Sequence, residues 1–261
     1  MPTALITGAS SGLGEHFAYA LGREHYNLVL TARREDRLAA VAERARAAGA
    51  AVVRVIRADL GQHETPAALH QQLTSDGVQV DYLVNNAGFG TTGRFHVLPA
   101  ERELEEVELN VTSLVALTRL FLPAMVERRR GTVINVASTA AFQPTPYMAT
   151  YGATKAFVLS FSEAVAAELR GTGVTVMALC PGPVRTEFQK VAGAERMRFP
   201  SFMWTEAERV VNEGIAAAAS GRSLCVAGAI NNAMVIASKF TPRNLTTFIS
   251  GTLMRPSSTD K

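Results

Sequence analysis

Short apolar runs rich in β-branched residues alternate with longer helical patterns along most of the chain. Stretches such as 35–48, 101–128 and 152–170 have apolar positions that recur at three- and four-residue spacing. The strand candidates are ALIT (4–7), NLVLT (27–31), AVVRVI (51–56), VDYLVN (80–85), GTVINVAS (131–138), VTVMALC (174–180) and SLCVA (223–227). Repeated strand–helix crossovers predict an α/β fold, a doubly wound parallel sheet of about seven strands with helices on both faces.

The composition is that of a globular protein and argues against several kinds of partner. Hydrophobic residues make up 48% of the 261 positions and charged residues 19%, and no Gly/Ser-rich linker divides them, so we expect a single domain. The 26 basic and 23 acidic side chains give a net charge of +3. Because the basic side chains are scattered and form no stripe, we expect no nucleic-acid partner.

The two cysteines, Cys180 and Cys225, are too few for a disulfide scaffold and lack the spacing of metal ligands. We therefore expect a reduced, cytoplasmic setting and no metal site. No secretory signal precedes the first apolar run, and no uninterrupted apolar stretch approaches the ~18 residues that span a bilayer. These features predict a soluble chain.

Three glycines crowd the first strand-to-helix connection, TALITGASSGLGEHFA (3–18). Gly8, Gly12 and Gly14 precede or open a helix that should begin near Leu13. Glycine lets a loop approach a ligand closely, and the free N–H groups of a helix start attract an anion. The expected anion is a dinucleotide pyrophosphate, although the spacing is Gly-x-x-x-Gly-x-Gly rather than the commoner Gly-x-Gly-x-x-Gly. The alternative is a close-packed connection without a ligand.

The end of the second strand, LVLTARREDRL, predicts which dinucleotide is bound. An acidic residue about 20 positions beyond the glycines would bind a ribose 2′-hydroxyl, but here Arg33 and Arg34 follow the strand. Two guanidinium groups suit the 2′-phosphate of NADP(H), and one or two charge-assisted hydrogen bonds would give roughly tens- to thousands-fold preference over NAD(H). The alternative is a solvated helix start in which these arginines pair with Glu35 or Asp36.

Four polar residues form a candidate catalytic set. Tyr151 and Lys155 in YGATK are four apart, and therefore lie on one face of a predicted helix. Ser138 closes the strand GTVINVAS, at the end where a parallel sheet binds its ligands. Asn110 lies in the long helix that follows NNAG (85–88). Taken singly, each has an ordinary structural alternative as an interior polar group, an aromatic or a solvated charge.

The motifs TGASSGLG, NNAG, Asn110, Ser138 with YGATK, and PGPVRT (181–186) occur in this order at characteristic intervals. The chain thereby resembles the short-chain dehydrogenase/reductase family over about residues 3–227. The resemblance implies a Rossmann-type cofactor-binding and catalytic domain over 1–227, with 228–261 as a helical extension packed on it. It also implies a homodimer or homotetramer that pairs the helices near 101–128 and 152–170.

The family's chemistry explains why these residue types are needed. Carbonyl reduction requires a hydride at carbon and a proton at oxygen, which the Tyr151 hydroxyl could supply. Lowering a tyrosine pKa from about 10 to 7 requires about 4 kcal/mol, supplied in part by Lys155 and in part by the positive oxidised nicotinamide. Ser138 would hold the substrate oxygen. The resemblance further implies that Lys155 binds the nicotinamide ribose and that Asn110 helps hold a water path.

The resemblance also assigns cofactor contacts. Asp59 would contact the adenine, with a turn-forming aspartate as the alternative, while Val184 and Thr186 would hold the nicotinamide carboxamide. Ser11 stands where NADP-preferring relatives often carry a basic residue, so the predicted preference rests on the arginine pair alone. The full predicted set is Gly8, Ser10, Ser11, Gly12, Leu13, Gly14, Arg33, Arg34, Asp59, Leu60, Asn86, Ala87, Gly88, Tyr151, Lys155, Pro181, Gly182, Val184 and Thr186.

Two further segments bear on the substrate. Residues 187–204, called the lid below, carry large apolar side chains that predict a roomy apolar pocket, with core or subunit packing as the alternative. Residues 228–261 could form a helix pair at an oligomer contact, a pocket cover or a weak attachment to an anionic membrane surface, and membrane contact is the least favoured. The apolar residues expected around the pocket are Phe89, Phe142, Met148, Phe188, Met197, Phe199, Phe202, Met203 and Trp204.

Together these features predict an NADPH-dependent reductase of bulky, apolar ketones or aldehydes. Two alternatives remain at this point. The chain could be an NADP(H)-binding sensor of the same fold, or an NAD(P)⁺-dependent alcohol dehydrogenase. Tyr151 and Lys155, whose loss would favour the sensor, are both present.

Overall fold

Seven parallel strands form one sheet in the computed structural model, which describes residues 1–195, 197 and 199–255. Their order across the sheet is β3-β2-β1-β4-β5-β6-β7. The strands are β1 (Thr3–Thr7), β2 (Asn27–Ala32), β3 (Val53–Arg57), β4 (Tyr82–Asn85), β5 (Gly131–Val136), β6 (Val174–Cys180) and β7 (Leu224–Val226). The predicted doubly wound, Rossmann-type parallel sheet in a single domain is confirmed.

Helices cover both faces of this sheet. The helices are α1 (Gly12–Arg23), α2 (Glu35–Ala48), α3 (Thr65–Ser75), α4 (Ala100–Val107), α5 (Ser113–Glu127), α6 (Ala149–Glu168), α7 (Phe188–Val191), α8 (Ala207–Ala219), α9 (Ala229–Phe240) and α10 (Arg243–Met254). Helices α1, α2 and α8 pack with Ile6 and Leu30 on one face. Helices α3 and α5 pack with Leu5 and Val29 on the other, because successive strand residues point to opposite faces.

The strand order reverses between β1 and β4. Crossovers from β1 lead outward to β2 and β3, and the chain then returns to β4 on the other side of β1. Helices that follow β1 and β4 therefore leave the sheet in opposite directions and open a crevice at the strands' carboxyl ends. Such a switch point is where open α/β sheets bind ligands. The glycine-rich turn after β1 and the NNAG segment after β4 both border this crevice.

The helix predicted over 101–128 is continuous but not uniform. A π-helical segment, Glu108–Thr112, joins α4 to α5 and contains Asn110. By length and composition alone, Ala100–Glu127 could cross a membrane, with 39% of its most apolar window buried in the fold. Leu117 and Phe121 pack against the sheet as in a core helix, so this likeness is weak evidence of a membrane span.

The chain beyond β6 is anchored at several points. Val184 and Thr205 form a parallel bridge that closes the base of the lid. Helices α9 and α10 are separated at Thr241 and Pro242. The Ser250 hydroxyl donates to the Pro144 carbonyl at 2.6 Å. On these contacts we propose 228–261 as an extension of the domain formed by 1–227; residues 256–261 lie outside the described part.

Candidate active site

Three of the four candidate catalytic residues line one cleft at the carboxyl ends of β4, β5 and β6. Ser138 begins a short 3₁₀ turn after β5, and its hydroxyl accepts from the Ala140 N–H at 3.1 Å. Tyr151 and Lys155 lie in the first turns of α6, with the Lys155 Nζ 5.7 Å from the Tyr151 ring centroid. The end of β5 and the start of α6 therefore bring a hydroxyl, a phenol and an amine together.

Burial controls the protonation of this pair. Burial raises the pKa of the Tyr151 hydroxyl to about 12, although a hydrogen bond with Ser138 acts to lower it. Burial also lowers the pKa of Lys155 to about 8, although Glu106 opposes that change. The Lys155 Nζ donates to the Val136 carbonyl at 2.7 Å. The protein's own groups therefore do not bring the pKa of Tyr151 to the value near 7 considered above, and a bound positive charge would have to lower it.

Asn110 lies behind the cleft rather than along it. Its Nδ2 donates to the Phe89 carbonyl at 2.8 Å and to the Thr154 Oγ1 at 3.1 Å, and its Oδ1 accepts from the Phe89 N–H at 3.1 Å. A Cβ on Gly88 would come within 2.7 Å of that Oδ1. Asn110 thus ties the segment after β4 to α6, the interior polar role that was the structural alternative for this residue.

The glycine-rich turn is close-packed and also suits an anion. Gly8 and Gly12 have φ of +64° and +60°, which favour glycine, and a Cβ on Gly14 would lie 2.4 Å from the Gly8 carbonyl oxygen. The close packing of the structural alternative is therefore present, and it is compatible with a ligand. In the described part of the chain no side chain caps the N-terminus of α1, so its free N–H groups can still receive a pyrophosphate.

A carboxylate already binds the arginine that was predicted to bind a 2′-phosphate. The Arg34 Nη2 donates to the Ser10 Oγ at 3.3 Å, the Ser11 Oγ at 3.0 Å and the Glu187 Oε2 at 2.8 Å. The Arg37 Nη2 donates to the Glu187 Oε1 at 3.0 Å. In the described residues, the pairing of Arg34 with Glu35 or Asp36 is not found. Neither Arg37 nor Glu187 was singled out from sequence.

The cleft has a cavity volume of about 280 Å³ and contains most of the predicted site. Asp59 is one of the predicted residues outside its lining; its Oδ1 accepts from the Gly61 N–H at 3.1 Å, which is the turn-forming alternative. Arg33 is exposed to solvent. The other predicted residues outside the lining are Ser10, Gly14, Leu60 and Asn110. The predicted residues that line it are Gly8, Ser11, Gly12, Leu13, Arg34, Asn86, Ala87, Gly88, Ser138, Tyr151, Lys155, Pro181, Gly182, Val184 and Thr186.

The substrate end of the cleft is apolar. The Phe188 ring centroid lies 5.2 Å from that of Tyr151, and the predicted residues Met148, Phe188, Met197, Phe199 and Met203 line the cavity. The other predicted residues, Phe89, Phe142, Phe202 and Trp204, lie outside it. Leu253 and Met254 of α10 also line it, so the extension covers the pocket. Arg196 and Arg198 of the lid lie outside the described residues.

Two buried carboxyl groups behind the cleft were not predicted. Glu106 is fully buried, and its Oε2 accepts from the Thr91 Oγ1 at 2.8 Å. Glu103, one turn earlier, accepts from the Thr150 hydroxyl. Within the described residues each keeps one oxygen without a hydrogen-bond partner. Burial raises the pKa of Glu106 to about 7. The hydrogen bond from Thr91 acts to lower this pKa, and the nearby Glu103 carboxylate raises it further.

Stability should therefore fall as the pH rises from 5 to 8. Because the folded-state pKa of Glu106 lies near 7 and its ordinary value is 4.5, the folded state binds more protons between these values. The loss is roughly 3 kcal/mol when complete above pH 7. Glu106→Gln should remove most of this loss, as measured by urea unfolding at pH 5 and pH 8. Glu105→Gln, on the same helix but exposed, is the control, and equal pH dependence in all three proteins would contradict the assignment.

Comparison with known proteins identifies relatives over most of the chain. The profile of the short chain dehydrogenase family matches residues 2–196. An uncharacterized oxidoreductase of Myxococcus xanthus is 36% identical over 82% of this chain and 83% of its own length. Mouse 17-beta-hydroxysteroid dehydrogenase type 3 is 33% identical over 72% of this chain, but only 61% of that protein is covered.

Solved structures agree with the fold. A short-chain dehydrogenase from Sphingobium yanoikuyae in complex with NADPH superposes with a TM-score of 0.82 at 33% identity, covering 92% of this chain and 94% of that one. The bulky-bulky ketone specific alcohol dehydrogenase from Comamonas testosteroni gives 0.77 at 30% identity, with 92% of each chain covered. A Burkholderia phymatum relative in complex with NAD gives 0.79 at 28%, covering 90% and 92%.

Proposed function

The chain belongs to the short-chain dehydrogenase/reductase family of nicotinamide-dependent oxidoreductases that act on CH–OH and C=O groups, and from this premise we propose that it is an NADPH-dependent reductase of bulky, apolar carbonyl compounds. The observation that carries the cofactor preference is the carboxylate held by Arg34 and Arg37. A site that binds one anion through a guanidinium beside two serine hydroxyls suits a phosphate.

The residues present fit a bound dinucleotide from end to end. The free N–H groups at the start of α1 would receive the pyrophosphate, and Arg34 with Ser11 would hold the 2′-phosphate. Lys155 would hold the nicotinamide ribose, and Val184 with Thr186 the carboxamide. When bound, the reduced nicotinamide supplies the hydride. We retain the rest of the predicted cofactor set. The members of it that do not line the cleft are Ser10, Gly14, Arg33, Asp59 and Leu60.

The chain's own residues would manage the proton at the substrate oxygen. The Ser138 hydroxyl would donate a hydrogen bond to that oxygen and stabilise the charge that develops there. The Tyr151 hydroxyl would transfer its proton to the same oxygen, which leaves an alcohol and a tyrosinate. The ammonium form of Lys155 would stabilise that tyrosinate until it is reprotonated. Asn110 would act by positioning α6 against the strand-end segment.

The shape of the pocket supports a bulky, apolar substrate. Methionine and phenylalanine side chains from the lid, from the segment before α6 and from α10 line the end beyond Tyr151. Methionine adapts to different shapes, so such a wall accepts varied apolar groups. The substrates named for the Comamonas and mouse relatives, a bulky-bulky ketone and a 17-beta-hydroxysteroid, belong to this chemical class.

Cofactor titration tests the proposal directly. NADPH should quench intrinsic fluorescence with a Kd at least roughly tenfold below that of NADH, because one charge-assisted contact is worth about 1.5–3 kcal/mol. Arg34→Ala should weaken NADPH binding by roughly 10–100-fold and leave NADH binding nearly unchanged. Arg170→Ala, exposed just beyond the C-terminal end of α6, is the matched control.

Two outcomes would favour other functions. Tighter binding of NADH would contradict the role of Arg34. NADPH binding without turnover of any member of a panel of aliphatic, aromatic and steroidal ketones would favour a sensor.

We further propose that the protein is a homodimer or homotetramer in a reducing, cytoplasmic setting. The exposed apolar side chains of Leu104, Val107 and Phe157, on α4 and α6, support a subunit contact along these helices. Both cysteines, Cys180 and Cys225, are free and buried, as suits a reducing compartment.

A further inference from the structure

Glu187, the first residue of the lid, reaches across the cofactor cleft. Glu187 directly follows the PGPVRT segment and precedes α7. Its two carboxylate oxygens accept from different arginines, Oε2 from Arg34 at 2.8 Å and Oε1 from Arg37 at 3.0 Å. Both arginines lie beyond β2, more than 140 residues earlier in the chain. The ion pairs therefore join the lid to the opposite wall of the cleft.

Glu187 uses the groups that a 2′-phosphate needs. The Arg34 Nη2 is shared among the Glu187 carboxylate and the hydroxyls of Ser10 and Ser11. A phosphate monoester carries a charge of about −1.5 to −2 at neutral pH and three acceptor oxygens, so it binds such a cluster more strongly than a carboxylate. Two anions bound to the same guanidinium would lie close enough to repel each other. They therefore compete for Arg34.

The position of Glu187 is coupled to the substrate end of the cleft. The next residue, Phe188, packs on Tyr151 with ring centroids 5.2 Å apart. Gln189 donates to the Val184 carbonyl at 2.7 Å and accepts from the Thr186 N–H at 3.2 Å. With Glu187 held by the arginines, α7 is fixed over Tyr151. Displacement of the carboxylate removes that attachment.

We propose that Glu187 is a latch that occupies the 2′-phosphate position and closes the lid, and that a bound 2′-phosphate displaces it and releases the lid. The inference rests on the proposed NADPH preference and adds a regulatory role for the lid. A dinucleotide without a 2′-phosphate leaves the latch in place. By linkage, the factor by which the phosphate favours the released lid equals the factor by which the released lid binds the phosphate more tightly than the closed lid does.

The expected effect is moderate because the pairs are exposed. The Arg34, Arg37 and Glu187 side chains are 48%, 48% and 40% accessible. Exposed ion pairs contribute little individually, so removing both should tighten phosphate binding by roughly 3–20-fold. The pKa of Glu187 is lowered, first by its hydrogen bond with Arg34, so the carboxylate stays charged at neutral pH and competes throughout that range.

The binding test uses adenosine 2′,5′-bisphosphate, which carries the 2′-phosphate without the nicotinamide, and adenosine 5′-monophosphate, which carries neither. Glu187→Gln should bind the bisphosphate roughly 3–20-fold more tightly than the original chain in calorimetric titrations. Binding of the monophosphate should be unchanged. Glu195→Gln, an exposed acid of the same lid, is the matched control and should behave like the original chain.

Hydrogen exchange over residues 187–195 reports the lid itself. In the original chain the bisphosphate should increase exchange there and the monophosphate should not. In Glu187→Gln exchange should already be high without ligand. Unchanged bisphosphate affinity in Glu187→Gln, or exchange that does not respond to the bisphosphate, would overturn the latch.

Arg34→Ala and Glu187→Gln together distinguish an error in the cofactor preference from an error in the latch. If the original chain prefers NADPH and Arg34→Ala removes the preference, but Glu187→Gln has no effect, only the latch is wrong. If the original chain does not prefer NADPH and Arg34→Ala changes nothing, the proposed cofactor preference is wrong. In that second case the latch also fails unless Glu187→Gln gains affinity for the bisphosphate.

Discussion

Tyr151→Phe should lower kcat for ketone reduction by roughly 10²–10⁴-fold, the usual contribution of a positioned general acid. The substitution removes only the hydroxyl that faces the Ser138 side chain, and the ring that packs on Phe188 remains. NADPH binding and thermal stability should therefore stay close to those of the original chain. Single-turnover oxidation of NADPH, followed by absorbance, measures the chemical step directly.

Tyr82→Phe is the matched control for that result. Tyr82 lies buried on β4, and in the described part of the structure its hydroxyl has no hydrogen-bond partner. Its removal should leave kcat unchanged. Equal activity of Tyr151→Phe and the original chain would show that another group supplies the proton.

Lys155→Met should remove activity and stabilise the fold at the same time. Loss of the ammonium should lower kcat by at least roughly 10²-fold, since the tyrosinate loses the positive charge that stabilises it. The same ammonium is costly in the folded state. Burial lowers the pKa of Lys155 from its ordinary 10.5 to about 8, so below pH 8 folding must bury a charge that the unfolded chain keeps in water.

The cost that Lys155 imposes on folding depends on pH. Between pH 8 and 10.5 the unfolded state binds more protons, so the destabilisation due to Lys155 is complete below pH 8 and disappears as the pH rises. At pH 7 the Met variant should gain roughly 1–3 kcal/mol, a rise in Tm of several degrees. Exposed Lys239→Met is the control. A lower Tm for Lys155→Met would mean that its bond to the Val136 carbonyl outweighs the desolvation.

Local patterns were sufficient to predict the frame of the fold. Helix α2 occupies 35–48 as its periodicity indicated, and β6 occupies 174–180. Both signals depend on residues close in sequence, namely the recurrence of apolar positions and a run of β-branched residues. The order of the motifs then placed Ser138, Tyr151 and Lys155 at one edge of the sheet, because parallel strands end on the same side.

The parts that were missed depend on contacts between distant residues. Glu103 and Glu106 lie in a stretch with many acids, which by pattern alone is typical of a solvated helix face, yet both are buried against α6 and the loop before α4. Glu187 lies 153 residues from the arginine that it binds. A pocket cover was one of the readings for residues 228–261, but the two side chains that reach the pocket, Leu253 and Met254, do so only because α10 folds back over it. No local periodicity contains this information.

The bridge between Val184 and Thr205 allows the lid to change in evolution independently of the strands and helices that hold Ser138, Tyr151 and Lys155. Because the two ends of the lid are joined at this point, insertions or deletions between them need not be transmitted to β6 or α6. Loop-closure entropy grows slowly with length, by about 0.6 kcal/mol for each doubling. Whole lids could therefore be exchanged during evolution while the proton-transfer residues keep their positions. For the same reason, a designed exchange of the lid with that of a relative should be made at these two residues.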